Sequence, residues 1–451
     1  MKKAIGFLLS MLMVVGIAAG CAQNPEAGKI QTPAGANNPT PAGPGVTSQP
    51  EKPVEPVTIR YYDWDLVNQS VIDRFMLENP DIIVEVYDVS ANSDRATQLD
   101  ILAMSGEIDV MPMADGDQFA RFEQGMMANL DDLIAAYGID MEEAFSDYAQ
   151  WAQMDGGYYA IPYRTSKTAL YYNKSIFDAA GVSYPTNDWT REDYTAAAAA
   201  ISEWGKNNGG VYGTYSHTYG NEWAIMAAQK GDWYTAEGMC NIKDRAWVDA
   251  LTMRTALDSG GLQMPYSEIK ASGTVINSSF LGGKEGMVLA GSWLVRDMKK
   301  TDKFPFDFEV GIASVPRWDD TVAGVRGNYS VSVLGIPESS KNKEAAFRFI
   351  LYLEMQSAQD IAATGNVPCY IPAYDDALIE TFVSGSKMSA DQAKFFFDTD
   401  VVLTTNKILG KQGASYMSII KEEIEPYFFG EIELDIALNN IESRVNELLA
   451  N

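Results

Sequence analysis

Several short segments of the chain group acids, amides, arginine or small residues, in most cases beside tryptophan or tyrosine. These segments are residues 64–65, 115–117, 163–165, 219–223, 231–234, 291–293 and 326–329. Aromatic rings pack against the apolar C–H faces of sugars, and charged or amide groups bind sugar hydroxyls in planar, bidentate arrangements. Such a composition favours a carbohydrate pocket over a pocket built from aliphatic side chains.

Ten side chains in these segments are candidate ligand contacts. They are Trp64, Asp65, Asp115, Asp117, Arg164, Trp223, Trp233, Trp293, Asn328 and Tyr329. Four other tryptophans lie in apolar or helical patterns without polar neighbours, so we expect them to be packing residues; they are Trp151, Trp189, Trp204 and Trp247. The single histidine, His217, is left out of the site because an isolated histidine more often has no special role.

Charge and the scarcity of two residue types exclude several function classes. The 451 residues include 34 Lys or Arg and 61 Asp or Glu, a formal charge of −27, which argues against nucleic acid as a partner because phosphate binding needs basic residues. One histidine and three cysteines cannot build the usual tetrahedral zinc site, and a Ser-His-Asp relay would depend on His217 alone. We therefore expect no metal and no cofactor.

The elements that must position the candidates begin with an alternation of strands and helices. Residues 57–61, 82–87 and 109–113 read as strands, and residues 68–79 and 94–104 read as the helices between them. This order predicts parallel βαβ units in an α/β fold. Ligands of such sheets bind beyond the carboxyl ends of the strands, which is where residues 62–65 and 114–117 fall.

One segment makes a family resemblance specific. The sequence "YAIPYRTSKTALYYNKSIFDAAGVSYPTNDWTREDY" resembles the signature region of bacterial extracellular solute-binding proteins of the maltose-binding type. The segments "FMLENPDIIVEV", "DVMPMADGDQFARFEQGMMANLDDLI", "GKEGMVLAGSW" and "SVLGIPESSKNKEAAFRFILYL" agree with it in order. The resemblance covers most of residues 57–371, and the last 80 residues match only in helical character.

The resemblance implies a periplasmic-binding-protein-like α/β fold with two discontinuous lobes, a hinge and a ligand cleft between the lobes. Residues 57–161 with 316–353 would form the amino-terminal lobe, and residues 162–315 with 354–451 the carboxy-terminal lobe. Such proteins deliver a solute, here a carbohydrate, to the transmembrane subunits of an ABC importer, and their lobes close on the hinge. We expect the protein to act as a monomer.

The first 56 residues predict export and anchoring. Lys2 and Lys3 precede an apolar run at residues 4–19, which is typical of a signal peptide over residues 1–20. The small residues before Cys21 resemble a lipobox, although alanine stands where that pattern usually has leucine, so we expect Cys21 to be lipidated. Residues 21–56 contain few large apolar side chains and predict a disordered linker. The folded part would then lie on the extracellular face of the cell membrane, lipid-anchored.

Two other function classes fit the same residues. A glycan-binding sensor or adhesion lipoprotein without a transporter would look nearly the same in sequence. A glycoside hydrolase needs two suitably spaced carboxylates, but 61 acids make such a pair a weak signal, and we expect no enzymatic activity.

The individual candidates also have structural alternatives. Asp65 and Asp115 could cap the helices that follow them, and Arg164 could form a salt bridge between lobes. Trp223 and Trp233 could pack in the core of a helix pair. Cys240 and Cys369 could form a disulfide or remain buried thiols.

Overall fold

The computed structural model of the chain describes residues 55–65, 67–91, 94–114 and 116–450. The predicted signal peptide, Cys21, nearly all of the predicted linker and the candidate Asp115 lie outside these residues. Within them, no helix has the length and apolar character needed to cross a bilayer.

Eleven strands and seventeen α-helices are found in the described residues. The strands are β1 Val57–Asp63, β2 Ile82–Asp88, β3 Met111–Met113, β4 Gln153–Met154, β5 Gly157–Tyr158, β6 Ala160–Asn173, β7 Met287–Gly291, β8 Val310–Ala313, β9 Arg326–Gly335, β10 Val367–Pro368 and β11 Val402–Thr404. The helices are α1 Gln69–Glu78, α2 Arg95–Ser105, α3 Asp117–Glu123, α4 Asp131–Ala136, α5 Met141–Phe145, α6 Lys174–Ala180, α7 Arg191–Gly205, α8 Arg245–Ser259, α9 Tyr266–Ser272, α10 Ile276–Leu281, α11 Trp293–Met298, α12 Lys343–Leu351, α13 Ala358–Ala363, α14 Asp376–Val383, α15 Ala390–Phe397, α16 Gly413–Phe428 and α17 Leu434–Leu449.

The amino-terminal elements follow the predicted strand and helix order. β1 and β2 pair in parallel with Val57 opposite Ile82, and a parallel bridge between Tyr61 and Val110 adds the segment before β3. Burial alternates along β1, so that Ile59, Tyr61 and finally Asp63 point inward. The predicted parallel βαβ arrangement is confirmed, and it brings the end of β1 into the protein interior.

Two long antiparallel strands, β6 and β9, connect different parts of the molecule. Residues 160–168 of β6 pair with nearly the whole of β9, from Ala160 opposite Gly335 to Thr168 opposite Asn328. The second half of β6 pairs with β7 and β8 instead. A register shift between Pro162 and Arg164 interrupts the first pairing, because proline cannot donate a backbone hydrogen bond there.

Three hydrophobic clusters form the interior. The first core gathers residues of the 59–163 and 329–369 segments. The second core combines the 170–322 segment with residues 408–445, and the third core combines the 169–310 segment with residues 358–397. The chain thus passes from the first core to the other two within β6, and it returns to the first core between Val322 and Tyr329. Residues of the third core begin again near the π-helix Tyr352–Gln356. The exact lobe boundaries stay a prediction.

The two described cysteines are buried as free thiols. Cys369 belongs to the first core and Cys240 to the second, so the structure decides between the two alternatives that the sequence left open.

Candidate functional site

A cavity of about 620 Å³ lies where the first core meets the other two. On one side its wall includes Trp64 and Leu99, and on the other Ile276 and Leu289. The middle of β6 contributes Arg164 to the same wall. We call this cavity the cleft.

Six of the ten predicted contact residues line the cleft. They are Trp64, Asp65, Asp117, Arg164, Trp293 and Asn328. Asp115 lies outside the described residues, and the remaining three candidates are placed elsewhere.

The base of the cleft is fixed by a buried ion pair between the end of β1 and β6. Asp63 is 0% exposed, and its carboxylate accepts hydrogen bonds from Tyr61 Oη at 2.5 Å and from Arg164 Nη2 at 3.1 Å. Burial raises the pKa of Asp63 from its ordinary value, although Arg164 opposes that rise. For Arg164 burial acts to lower the pKa, but the Asp63 and Asp65 carboxylates raise it overall, so the guanidinium stays charged.

Asp65 is the point where several elements meet. Its Oδ2 accepts hydrogen bonds from Arg296 Nη1 at 2.8 Å and from Asn366 Nδ2 at 2.7 Å, and lies 3.1 Å from Arg164 Nη1. Burial alone would raise the pKa of Asp65, but the two arginines and these hydrogen bonds lower it. Asp65 is therefore an ionised acceptor at neutral pH, and its chemistry is that of an ion-pair partner and not of a proton donor.

Trp293 provides an aromatic surface in the cleft. It is the first residue of α11, directly after β7 and Ser292, and it is half-buried against the third core. A side chain at Gly291 would collide with Ser166 and with the Trp293 ring, so the glycine permits this close approach. The indole is held in position while part of its surface stays open for stacking.

Asn328 supplies a free donor to the same cavity. The residue is 3% exposed, and its Nδ2 has no hydrogen-bond partner in the described part of the chain. A buried amide N–H without a partner costs free energy, so its place in the cleft wall suits a ligand oxygen.

Trp64 and Arg95 form a second aromatic element of the wall. The Arg95 guanidinium lies 5.0 Å from the centroid of the Trp64 ring, within the range of a cation–π interaction. Arg95 is exposed at the start of α2, while Trp64 is half-buried in the loop after β1.

Trp223 and Trp233 lie in the second core and outside the cleft lining. They are 8% and 7% exposed, and the Trp233 ring stacks on Trp247 with centroids 4.0 Å apart. Trp223 Nε1 donates to the backbone oxygen of Gly220. The predicted ligand role gains no support from this placement, because three mutually packed indoles form a hydrophobic core.

Tyr329 is likewise turned away from the cleft. It is 4% exposed in the first core, with its ring 5.6 Å from Trp151. Its hydroxyl accepts a hydrogen bond from Gln150 Nε2 at 2.7 Å. Alternation along β9 explains the difference from Asn328, because neighbouring residues of a strand point to opposite faces.

Several polar residues of the cleft were not predicted from the sequence, among them Arg296, Asn277 and Asn366. Arg296 could have been found, because it follows Trp293 by three residues on α11 and so shares its helix face. Nothing in the sequence around Asn277 or Asn366 marks them, since both reach the cleft through tertiary packing. Asn277 donates to Asp297, and Asn366 to Asp65.

The described residues hold no group of His, Cys, Asp and Glu side chains suited to a metal ion. What the cleft does offer is an aromatic surface, charged side chains in fixed ion pairs, and amide and hydroxyl groups. This combination suits reversible binding of a polyhydroxylated molecule with apolar faces.

Comparison with known proteins gives a consistent result. A model of the family of bacterial extracellular solute-binding proteins matches residues 65–360. A binding protein of Brucella abortus (strain 2308) is 28% identical over 203 residues, which are 44% of this chain and 47% of that relative. The chain therefore spans about half the length of the curated relatives it matches first.

Two solved structures are similar over most of the chain. An ABC substrate-binding protein from Listeria monocytogenes in complex with cycloalternan has a TM-score of 0.73 and 23% identity, covering 88% of this chain and 99% of that one. The GacH receptor of Streptomyces glaucescens, solved unliganded and with acarbose, has a TM-score of 0.69 and 21% identity, covering 88% and 99%. At these identities the likeness shows the fold.

Proposed function

The chain belongs to the family of bacterial extracellular solute-binding proteins and has a periplasmic-binding-protein-like α/β fold, as its sequence predicts, and from this premise we propose that it captures a carbohydrate. The ligand would be an oligosaccharide held in the cleft. The protein would bind it reversibly and without chemical change.

The observation that carries this proposal is the position of Trp293. Its half-buried indole lines a cavity whose other walls carry the ionised Asp65, the charged Arg164 and the unpartnered amide of Asn328. A sugar ring presents an apolar face to the indole and hydroxyls to such polar groups. An aliphatic ligand would leave the buried Asn328 amide donor without a partner, which costs free energy.

The solved relatives support the same ligand class. The Listeria protein was solved with cycloalternan and the Streptomyces receptor with acarbose, and both compounds are saccharides or saccharide analogues. Because these structures share the fold of this chain at low identity, they support the class of ligand and leave its identity open.

We further propose that the protein is a lipoprotein on the extracellular face of the cell membrane. The signal-like residues 1–20, the lipobox-like residues before Cys21 and the linker composition of residues 21–56 support this arrangement. A monomer would then deliver sugar to the transmembrane subunits of an ABC permease. Closure of the cleft around the sugar would distinguish the loaded protein from the empty one.

A thermal-shift screen against mono- and oligosaccharides tests the capture of sugar. A ligand that binds only the folded state raises the unfolding temperature in proportion to the logarithm of its concentration over Kd. We expect at least one oligosaccharide to raise the melting temperature at millimolar concentration. A screen in which sugars have no effect and another solute class does would contradict the proposal.

Two further measurements separate the alternatives. Chromatography after prolonged incubation with the bound sugar should show it intact, whereas cleavage products would indicate a glycoside hydrolase. Stimulation of a permease's ATPase activity by the sugar-loaded protein is expected for an importer subunit. A sensor or adhesion protein would bind the sugar and leave every co-encoded permease unaffected.

A further inference from the structure

The cleft does not share the acidic character of the chain. Across the whole sequence 61 acids face 34 basic residues. Among the described residues that line the cleft, the basic side chains are Arg95, Arg121, Arg164, Arg296, Lys407 and Lys421. The acidic ones are Asp65, Asp117, Glu222 and Asp297. Basic side chains are thus in excess in this wall, although acids are in excess in the chain as a whole.

The acids behind the wall reduce this excess without reversing it. Asp63 is fully buried beneath Arg164, and Asp100 pairs with Arg121 at 2.6 Å. With these two acids added, the four acids and six bases of the wall become six and six, while the chain-wide ratio approaches two to one. The bulk negative charge therefore lies elsewhere, and a negative ligand meets no surplus of like charge inside the cleft.

The hydrogen-bonding groups of the cleft that lack partners also favour a ligand with negative or acceptor groups. Two buried side-chain atoms of lining residues lack a hydrogen-bond partner within the described part of the chain, Asn328 Nδ2 and Arg296 Nε, although Arg296 Nε also lies 3.5 Å from the Asp297 carboxylate in an ion pair. Both are N–H donors. Since a buried donor is costly when unpaired, a complementary ligand should present acceptors at these positions.

Arg95 adds an exposed cation to the lining of the same cleft. Its guanidinium lies over the Trp64 ring, and Trp64 directly precedes Asp65, which is bonded to Arg296. Arginine has five N–H donors in a planar group, so a guanidinium over an indole can still donate to a planar acceptor such as a carboxylate. Aromatic surface and cation thus occur together in one wall.

We propose that the cleft selects acidic oligosaccharides, that is, sugars that carry uronate carboxylates. The sugar rings would stack on Trp293 and Trp64, and carboxylate oxygens would accept hydrogen bonds from Arg95, Arg296 Nε and Asn328 Nδ2. This inference deepens the proposed function and rests on it, because it names the class of sugar bound at the same site.

The test is a calorimetric titration of the whole protein with matched pairs of oligosaccharides. The acidic probes are a trigalacturonide, a trimannuronide and a glucuronic acid-bearing xylotriose. Each is compared with its neutral counterpart, in which the carboxylate is replaced by a hydroxymethyl group or the uronic acid is absent. We expect at least one acidic probe to bind about tenfold more tightly than its counterpart, which is the effect of one charge-assisted hydrogen bond.

Variants connect the preference to the named residue. Arg95→Gln should weaken the acidic probe about fivefold to tenfold more than it weakens the neutral one, whereas Arg95→Lys should keep most of the preference because it keeps the charge. The matched control is Arg245→Gln, which removes an 87% exposed guanidinium on α8, outside the cleft lining. It should change neither affinity.

The possible outcomes separate the inference from the proposed function. Tighter binding of an acidic probe, lost selectively in Arg95→Gln, supports both. Binding of neutral oligosaccharides as tightly as or more tightly than the acidic ones overturns the inference while sugar capture stands. An absence of heat with every acidic and neutral probe contradicts both.

Discussion

The carboxylate of Asp65, in the loop after β1, accepts a hydrogen bond at 2.8 Å from Arg296 on α11. β1 belongs to the first core, whereas α11 packs in the third. The ion pair therefore joins opposite walls of the cleft. Since the same Oδ2 also accepts from Asn366 and lies 3.1 Å from Arg164, Asp65 is engaged by the protein itself more than it is open to a ligand.

The first prediction concerns this cross-cleft pair. Asp65→Asn and Arg296→Gln should each lower sugar affinity about tenfold, because losing a pair that joins the two walls should lower the population competent to bind. The double variant should lose little more than either single variant, with a coupling energy of about 1–2 kcal/mol in a double-mutant cycle. Calorimetry supplies the four affinities.

The matched control is the Lys243 and Glu442 pair, which is exposed and joins α17 to the loop before α8. Neutralising either residue should leave sugar affinity unchanged, because exposed ion pairs contribute little. Strictly additive losses for Asp65→Asn and Arg296→Gln would mean that the two residues act separately and that the pair does not close the cleft.

The second prediction concerns the unpartnered amide of Asn328. Asn328→Ala should weaken sugar binding by about 1 kcal/mol, which is the net value of one hydrogen bond, and should not lower the free energy of unfolding of the empty protein. Isothermal titration and urea unfolding measure the two quantities. Asn207→Ala, at an exposed position after α7, is the control and should change neither. A destabilised protein with normal affinity would identify Asn328 as a structural residue.

The third prediction concerns Trp233. Trp233→Ala removes an indole that is stacked on Trp247 and should cost about 3 kcal/mol or more of unfolding free energy, while the folded fraction keeps its sugar affinity. Unfolding curves and calorimetry at 15 °C measure both effects. A large loss of affinity with an unchanged unfolding midpoint would instead restore Trp233 to the ligand site.

The fourth prediction is a pH dependence that arises from Glu285. Burial raises the pKa of this carboxyl to about 7 from its ordinary 4.5, one oxygen accepts from Ser279 Oγ, and the other has no partner among the described residues. Because the folded-state pKa is raised, the contribution of Glu285 to stability is fully present below pH 4.5 and is lost as pH rises to about 7.

Glu285→Gln stays neutral throughout and keeps an acceptor for Ser279. As pH rises from 4.5 to 8, the wild type should therefore lose unfolding free energy relative to this variant, by on the order of 3 kcal/mol. Urea titrations across that range provide the measurement. A difference that does not vary with pH would show that Glu285 is ionised in the folded protein at neutral pH.

The fold could be predicted from the sequence because the patterns that indicate it are either local or shared by a family. Alternation and capping patterns located β1, α1, β2 and α2 within one or two residues. The quoted signature segments identified the family. Strand β9 and helices α16 and α17 complete the clusters through contacts distant in sequence, which no local pattern reports.

The site was only partly predictable for the same reason. Trp293 and Arg164 follow or occupy recognisable strands, so their position in the cleft could be anticipated. Trp223 and Trp233 have equally polar neighbours along the chain, but their burial depends on Trp247, which a single sequence does not place beside them. Asn366 reaches Asp65 across 301 positions of sequence, and only the folded chain shows that contact.

The most direct test of the account is a calorimetric titration of the wild type and Trp293→Ala, side by side, with the best oligosaccharide from the screen. We predict saturable 1:1 binding to the wild type and a loss of about 2 kcal/mol or more in the variant, because the stacking surface is removed from the cleft wall. Both proteins should have the same circular dichroism spectrum. Equal affinities for the two proteins would contradict the claim that sugar is captured on Trp293 in this cleft.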